Sequence, residues 1–248
     1  MTNPRIEVFA NADPLTRAAA QLFTSLVRDA VEQRGLGRIV LSGGSTPKKL
    51  FALLAQSPAR EEIAWAQLHC YWADERLVPP HHAESNYGEA QRLLFDFVPI
   101  PPENVHRMKG ELPMDEAVAD YRRQLSTAAE PALVFDAVWL GLGEDGHTAS
   151  LFPGPVSAEE NTQPVMGVTA DYQGRPAQRI TLTPYIFNQA RQIIFLTTGS
   201  NKAVAVHAVL HGPHAPENWP AQRICPLSGH TIWLLDHPAA RLLPQGNV

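Results

Sequence analysis

The chain has 248 residues, 44% of them hydrophobic, and a formal net charge of -5. That length and apolar content suit one domain, 1–248, able to bury a core without disulfide staples. No Lys/Arg block marks a nucleic-acid groove and no uncharged run approaches a membrane span, so neither nucleic acid nor membrane is expected as a partner.

The opening MTNPRIEVFANADP has no basic segment followed by a long apolar one. No signal peptide is therefore expected. The two cysteines, Cys70 and Cys225, show no C-x-x-C spacing. A reducing, cytoplasmic setting fits them.

The predicted elements alternate between strand and helix. IEVFA (6–10) reads as a strand. Asp13 is placed to cap the next helix, with Pro14 at its first position. Leu15, Ala19, Leu22, Leu26 and Ala30 then share one helical face, and Gly35 ends it. RIVLS (38–42) is a buried-type strand, followed after GGST by a helix from Pro47 through Leu54. QLHCYWAD (67–74) is a third strand, with helices over 86–97 and 114–128 after it. FDAVWL (135–140) is a fourth strand. Later strands are predicted over 179–183, 192–197 and 231–236, with helices over 201–210 and 238–242. This alternation predicts an α/β fold, Rossmann-like, with a mainly parallel twisted sheet covered by helices on both faces. Ligands of such sheets collect beyond the carboxyl ends of the strands. The segments there are SGGST, ADER, GLGEDGH and TTGSNK.

GLGEDGHTASLFPG (141–154) contains G-x-G-x-x-G, yet it does not read as a dinucleotide site. A Rossmann fingerprint opens a helix directly and has an acidic strand end roughly 20 residues on. Here Pro153 and Pro155 interrupt any helix, and DYQG around Asp171 reads as a turn.

LSGGSTPKKLF (41–51) is more specific. Gly43 and Gly44 permit tight or left-handed backbone. Thr46 as N-cap and Pro47 as first helical residue would aim N–H groups outward at a helix start, which suits a phosphate. The spacing is not that of a Walker A loop, so ATP is not implied. Arg76, Lys202 and, less directly, Arg179 stand after or within strands where they can complete such a cradle. His147 fits a general base near neutral pH, with Asp145 or Glu144 to orient it. Asp74 and Glu75 form a second carboxylate pair, for which a local salt bridge with Arg76 is the plainer reading. No G-x-S-x-G elbow supports a serine nucleophile. His81 and His82 lack metal-ligand spacing and read as exposed.

In order, LSGGSTPKKLF, WADERLVPPHHAESNYGEA, GLGEDGHTASLFPG, RITLT, TTGSNKA and WPAQRICPLSGHTIWLLD resemble the 6-phosphogluconolactonases of the wider glucosamine-6-phosphate isomerase/lactonase superfamily. These pieces span residues 40–236. The resemblance implies an enzyme of the pentose phosphate pathway, a carboxylic ester hydrolase that needs neither metal nor cofactor. Its partner is a small-molecule lactone, 6-phospho-D-glucono-1,5-lactone. It implies His147 as general base, Asp145 as its support, and a phosphate site at Gly43, Gly44, Ser45, Thr46, Arg76, Lys202 and Arg179. Asp74 matches an acidic position of the superfamily, without a clear role in a hydrolase. Whether the chain is a monomer or a dimer stays open.

Two alternatives stand beside this. The isomerase-deaminases carry DGHIAFNEP, with a glutamate before the proline; the matching DGHTASLFP has Phe152 there, which has no proton to give. SGGSTP in place of TGSTP and DER in place of DEY point the same way. A non-catalytic sugar-phosphate sensor would keep the phosphate loop but leave Asp145 and His147 without a role.

Overall fold

The computed structural model describes residues 4–128 and 133–244. The termini of the 1–248 reading, 1–3 and 245–248, and residues 129–132 lie outside the described residues.

Strand β1 (Arg5–Phe9) leads into helix α1 (Ala12–Arg34). The cap is Asn11 and not the expected Asp13: Asn11 accepts from the Asp13 N–H at 3.0 Å. The asparagine already stands in extended backbone, one residue before the first turn, which is what a cap requires. Gly35 ends the helix at φ 77° as expected. After β2 (Gly37–Leu41), helix α2 (Ser45–Leu54) starts two residues before Pro47. Gly44 stands at its N-cap with φ 113° and no side chain caps it. Thr46 is therefore inside the helix, and its hydroxyl pairs with that of Thr198 at 3.0 Å.

A short helix α3 (Ala59–Glu62) precedes β3 (Leu68–Trp72). The expected strand over 67–74 is divided. The Ala73 N–H still donates to Leu41 O at 2.7 Å, but its carbonyl accepts from the Leu182 N–H at 2.7 Å in a second sheet. The next residues, β4 (Asp74–Arg76), belong wholly to that sheet. Helix α4 (Asn86–Leu93) is shorter than predicted, because a 3-10 turn takes Phe95–Phe97. Then come β5 (Val105–His106), α5 (Met114–Thr127), β6 (Ala137–Leu140), α6 (Ala158–Thr162), β7 (Val165–Thr169), β8 (Gln178–Leu182), α7 (Pro184–Phe187) and β9 (Gln192–Thr197). The helix expected over 201–210 opens as a 3-10 turn, Ser200–Lys202, and continues as α8 (Ala203–His211). β10 (His230–Asp236) and α9 (His237–Ala240) end the described chain's elements.

Seven strands form one sheet in the order β1-β10-β9-β6-β2-β3-β5, every neighbouring pair parallel. The central strands are buried apolar runs: AVWL of β6 is buried throughout, as covering on both faces requires, whereas the edge strands β1 and β5 are only partly buried. From β2 the chain steps outward through β3 to β5. From β6 it steps the opposite way through β9 to β10. With right-handed crossovers, those two directions put their helices on opposite faces. The switch point falls between β2 and β6, which pair directly through Ile39–Ala137 and Val40–Val138. A crevice opens there beyond the strand ends. The second sheet, β4-β8-β7, is antiparallel and borders that crevice. The buried apolar residues make one contiguous cluster across both sheets.

Candidate active site

A cleft of about 210 Å³ occupies the switch point. Gly43, Gly44, Ser45, Thr46, Asp74, Arg76, His147, Arg179 and Lys202 all line it. The four strand-end segments singled out in the sequence thus meet at one place. Ser42 ties the first of them to the strand that carries GLGEDGH, donating to Trp139 O at 2.7 Å across β2 and β6.

On one side, the uncapped start of α2 offers its first-turn donors to the cleft. Of the two glycines before it, only Gly44 has positive φ; Gly43 is needed for a different reason. A Cβ there would collide with the side-chain amide of Asn86. Cations face this loop. The β4–β8 register sets Arg76 directly opposite Arg179. Arg179 is 3% exposed, and its Nε and Nη2 have no acceptor among the described residues. Burial lowers the pKa of both Arg179 and Lys202; Asp74 offsets part of that at Arg179, and Glu144 and Asp145 at Lys202. A buried guanidinium with empty donors is costly unless an anion fills them.

On the other side, His147 Nδ1 lies 2.6 Å from Asp145 Oδ1, which also accepts from the His147 N–H at 3.2 Å. A carboxylate on Nδ1 fixes the proton there and leaves the Nε2 lone pair free. Partial burial opposes ionisation of Asp145, but its bonds to His147 outweigh that and hold the carboxyl below the usual aspartate range. Glu144 is engaged elsewhere, accepting from Asn201 Nδ2 at 2.6 Å.

The glycines of GLGEDGH serve this loop. The Gly143 N–H donates to His147 O at 2.8 Å, and a Cβ on Gly143 would strike the imidazole. Gly146, at φ 78°, packs under Trp219. No helix opens directly on these glycines, the next one being α6 at Ala158, so the dinucleotide reading has no structural counterpart here.

The carboxylate pair divides its work. Asp74 accepts from Ser150 Oγ at 2.7 Å and Asn86 Nδ2 at 3.2 Å. Glu75 points away from the Arg76 guanidinium, against the salt bridge considered for it. It takes the N–H groups of Arg76, Asn86 and Tyr87 at 2.8 Å each, and Ser85 Oγ at 2.9 Å. Burial pushes it up to about 7 against those bonds. His81 and His82 are exposed, as expected.

Four contributors escaped the sequence reading. Asn86 links Arg76 to Asp74. Tyr172 and Arg175 reach the cleft from the β7–β8 hairpin, whose tip turns at Gln173 (φ 53°) and Gly174 (φ 66°). DYQG signalled that turn but not where it reaches. Arg223, from WPAQR, bonds the carbonyls of Phe152 and Gly154 at 3.3 and 2.9 Å and so braces the loop after His147.

Among the described residues, no helix is long and apolar enough to cross a membrane.

The switch-point cleft brings together an uncapped helix start, two buried arginines and an Asp–His pair, the parts of an enzyme site for an anionic small molecule. The family model described as glucosamine-6-phosphate isomerases/6-phosphogluconolactonase matches residues 10–233, and the chain belongs to that family. It is 44% identical over 205 residues to a 6-phosphogluconolactonase of Haemophilus influenzae, covering 83% of this chain and 87% of that one. A 6-phosphogluconolactonase of Rattus norvegicus is 37% identical, over 96% of this chain and 93% of its own. The solved 6-phosphogluconolactonase of Trypanosoma cruzi superposes with a TM-score of 0.83 at 28% identity, covering 97% of each chain.

Proposed function

We propose that this enzyme hydrolyses 6-phospho-D-glucono-1,5-lactone to 6-phospho-D-gluconate in the oxidative pentose phosphate pathway, without metal or cofactor. Its proposed setting is the cytoplasm and its partner the small-molecule lactone. The observation that carries the reading is that one cleft is lined both by Arg179, whose buried Nε and Nη2 have no acceptor among the described residues, and by His147, which Asp145 holds from behind, outside the lining. An anionic group and a water-activating base are thereby called for together.

In this mechanism the substrate phosphate rests on Gly43–Thr46 with Arg76, Arg179 and Lys202. His147 Nε2 takes a proton from water as the water oxygen bonds to the lactone carbonyl carbon. The tetrahedral intermediate collapses, the bond from that carbon to the ring oxygen breaks, and the imidazolium returns its proton to the ring oxygen. Asp145 holds the imidazole in the needed tautomer and stabilises the imidazolium.

The family description covers two activities, and Phe152 separates them. Where the deaminases carry a carboxylate, this chain packs a phenyl ring 4.8 Å from the His147 ring. The test is to follow acid release from freshly prepared lactone, above its spontaneous hydrolysis and with EDTA present, beside ammonia release from glucosamine 6-phosphate. Chelator-insensitive lactone hydrolysis that falls on the order of 10² to 10⁴ in His147→Ala is expected. Ammonia release would overturn the reading in favour of the deaminase. Sugar-phosphate binding without either reaction would favour the sensor.

A further inference from the structure

Asn86 is the first residue of α4 and 2% exposed. Its Oδ1 accepts from Arg76 Nη1 at 2.8 Å, and its Nδ2 donates to Asp74 O at 2.8 Å and Asp74 Oδ1 at 3.2 Å. The amide orientation is forced, because a guanidinium only donates and a carboxylate only accepts. The backbone is pinned as well, through the Asn86 N–H to Glu75. On its remaining side stands the phosphate loop, where Gly43 leaves no room for a side chain of its own.

We infer that Asn86 is a positioning residue of the anion site: it sets the Arg76 guanidinium toward the phosphate loop, holds Asp74 away from it, and is the reason residue 43 is glycine. The inference rests on the phosphate-binding part of the proposed function. Arg76 has few other restraints. Its Nη1 also meets Glu84 O at 2.7 Å, but the Glu84 carboxylate stays 3.9 Å off and Nε has no acceptor among the described residues. Without the amide, Arg76 and Asp74 are free to pair with each other, which would withdraw the cation from an incoming phosphate.

The experiment compares the wild type with Asn86→Ala, Asn86→Asp, Gly43→Ala and the Gly43→Ala/Asn86→Ala double variant. Lactone KM and kcat are measured, and binding of inorganic phosphate and 6-phosphogluconate is followed by calorimetry. Asn86→Ala should raise KM and both Kd values about tenfold, the scale of one charge-assisted hydrogen bond, with a smaller change in kcat. Gly43→Ala should be the more damaging single change, and the double variant should bind phosphate better than Gly43→Ala alone, since the collision is gone.

Asn86→Asp keeps the volume but turns a donor into an acceptor beside Asp74. Lowering the pH supplies a proton that the two carboxyls can share, restoring one donor and one acceptor. Glu75, Glu84, Arg76 and Arg179 also face this cluster. Each Kd is therefore divided by the wild-type value at the same pH, and that ratio should shrink between pH 8 and 5.5.

A folded Asn86→Ala with unchanged Kd values, or a double variant no better than Gly43→Ala, overturns the inference. If Asn86→Ala does not fold, a pH-independent Asn86→Asp ratio overturns it. Loss of the functional reading shows separately, as a wild type that hydrolyses no lactone. The inorganic phosphate arm reads Asn86 in either case.

Discussion

The phenyl ring of Phe152 lies 4.8 Å from the imidazole of His147, and the Arg179 guanidinium carbon stands 5.3 Å from the centre of that same ring. One apolar side chain thus touches both halves of the cleft, the proposed base and the buried cation. Aromatic pairs add about 0.5–1.5 kcal/mol and cation–π contacts a similar amount. Phe152→Leu keeps an apolar residue but loses both. It should lower kcat/KM roughly tenfold while the chain stays folded. Steady-state kinetics equal to wild type would show that the ring orients neither group.

Tyr172 meets the His147 ring edge-on, with centroids 4.7 Å apart, from the exposed tip of the β7–β8 hairpin. Burial raises its hydroxyl pKa, and the charges of Asp145 and Glu144 add to that, so the phenol stays neutral beside the proposed base. The contact is through the ring, so the hydroxyl should be dispensable. Tyr172→Phe is expected within about twofold of wild-type kcat, whereas Tyr172→Ala should lose about two- to tenfold, the scale of one aromatic pair. Equal losses in both variants would assign the role to the hydroxyl.

Why these two residues were legible to different degrees is a matter of where they sit in the chain. Phe152 closely follows His147, inside a motif whose order carried the family resemblance. Tyr172 reaches the site only because the hairpin folds back, and no local pattern encodes that. Most of the parallel sheet was readable since its central strands are continuous apolar runs; the two-residue edge strand β5 was too short to leave a pattern. Of the second sheet only β8 was readable, as the strand expected over 179–183. β4 reads as the tail of β3, and in β7, VMGVT, Gly167 breaks the side-chain pattern because Met114 packs where its Cβ would stand. Strand ends pointed to the proposed phosphate loop, the Asp–His pair and the cations. Asn86 lies at a helix start ten residues past Arg76, and only tertiary return to β4 makes it a site residue. Asn11 and Ser45 show the smaller errors, since several polar residues near a helix start compete to be its first.

Arg179 is a stability liability that an anion would relieve. Its Nε and Nη2 are buried without acceptors among the described residues. Arg179→Met removes that desolvation cost, so the unliganded variant should melt at or above the wild-type temperature. Its stabilisation by 6-phosphogluconate should nonetheless largely vanish, because lost charge-assisted bonds are worth roughly 1.5–3 kcal/mol each. Lys202→Met should lose affinity likewise. Thermal melts with and without product test this; a ligand shift retained in both variants would move the phosphate elsewhere.

Arg223 and Glu160 form an ion pair at 2.9 Å with side chains only 5% and 4% exposed. Glu160 also closes a capping box with Ser157 at the start of α6. Arg223→Met strands that carboxylate and releases the Phe152 and Gly154 carbonyls. Breaking one side of a buried pair costs about 3–5 kcal/mol. Changing both partners, Arg223→Met with Glu160→Gln, should recover part of the loss. Denaturant titration of the wild type, both single variants and the double variant decides it: additive losses would mean the pair is not coupled.

Glu75 links this architecture to pH. Its carboxyl is raised from an ordinary 4.5 to about 7, chiefly by burial. Between those values the folded chain keeps a proton that the unfolded chain has released. The group therefore favours folding at the acid end of the window and loses that contribution as the pH climbs through about 7. The sign is opposite to that of Asp145, whose lowered pKa contributes above the usual aspartate range and is lost on acidification. Glu75→Gln cannot titrate. It should fold less stably at pH 5, since an amide meets four donors with a single acceptor oxygen, but its stability should change less between pH 5 and 7.5. Urea unfolding at those two pH values gives the slope for each protein, and identical slopes would rule out Glu75 as the titrating group.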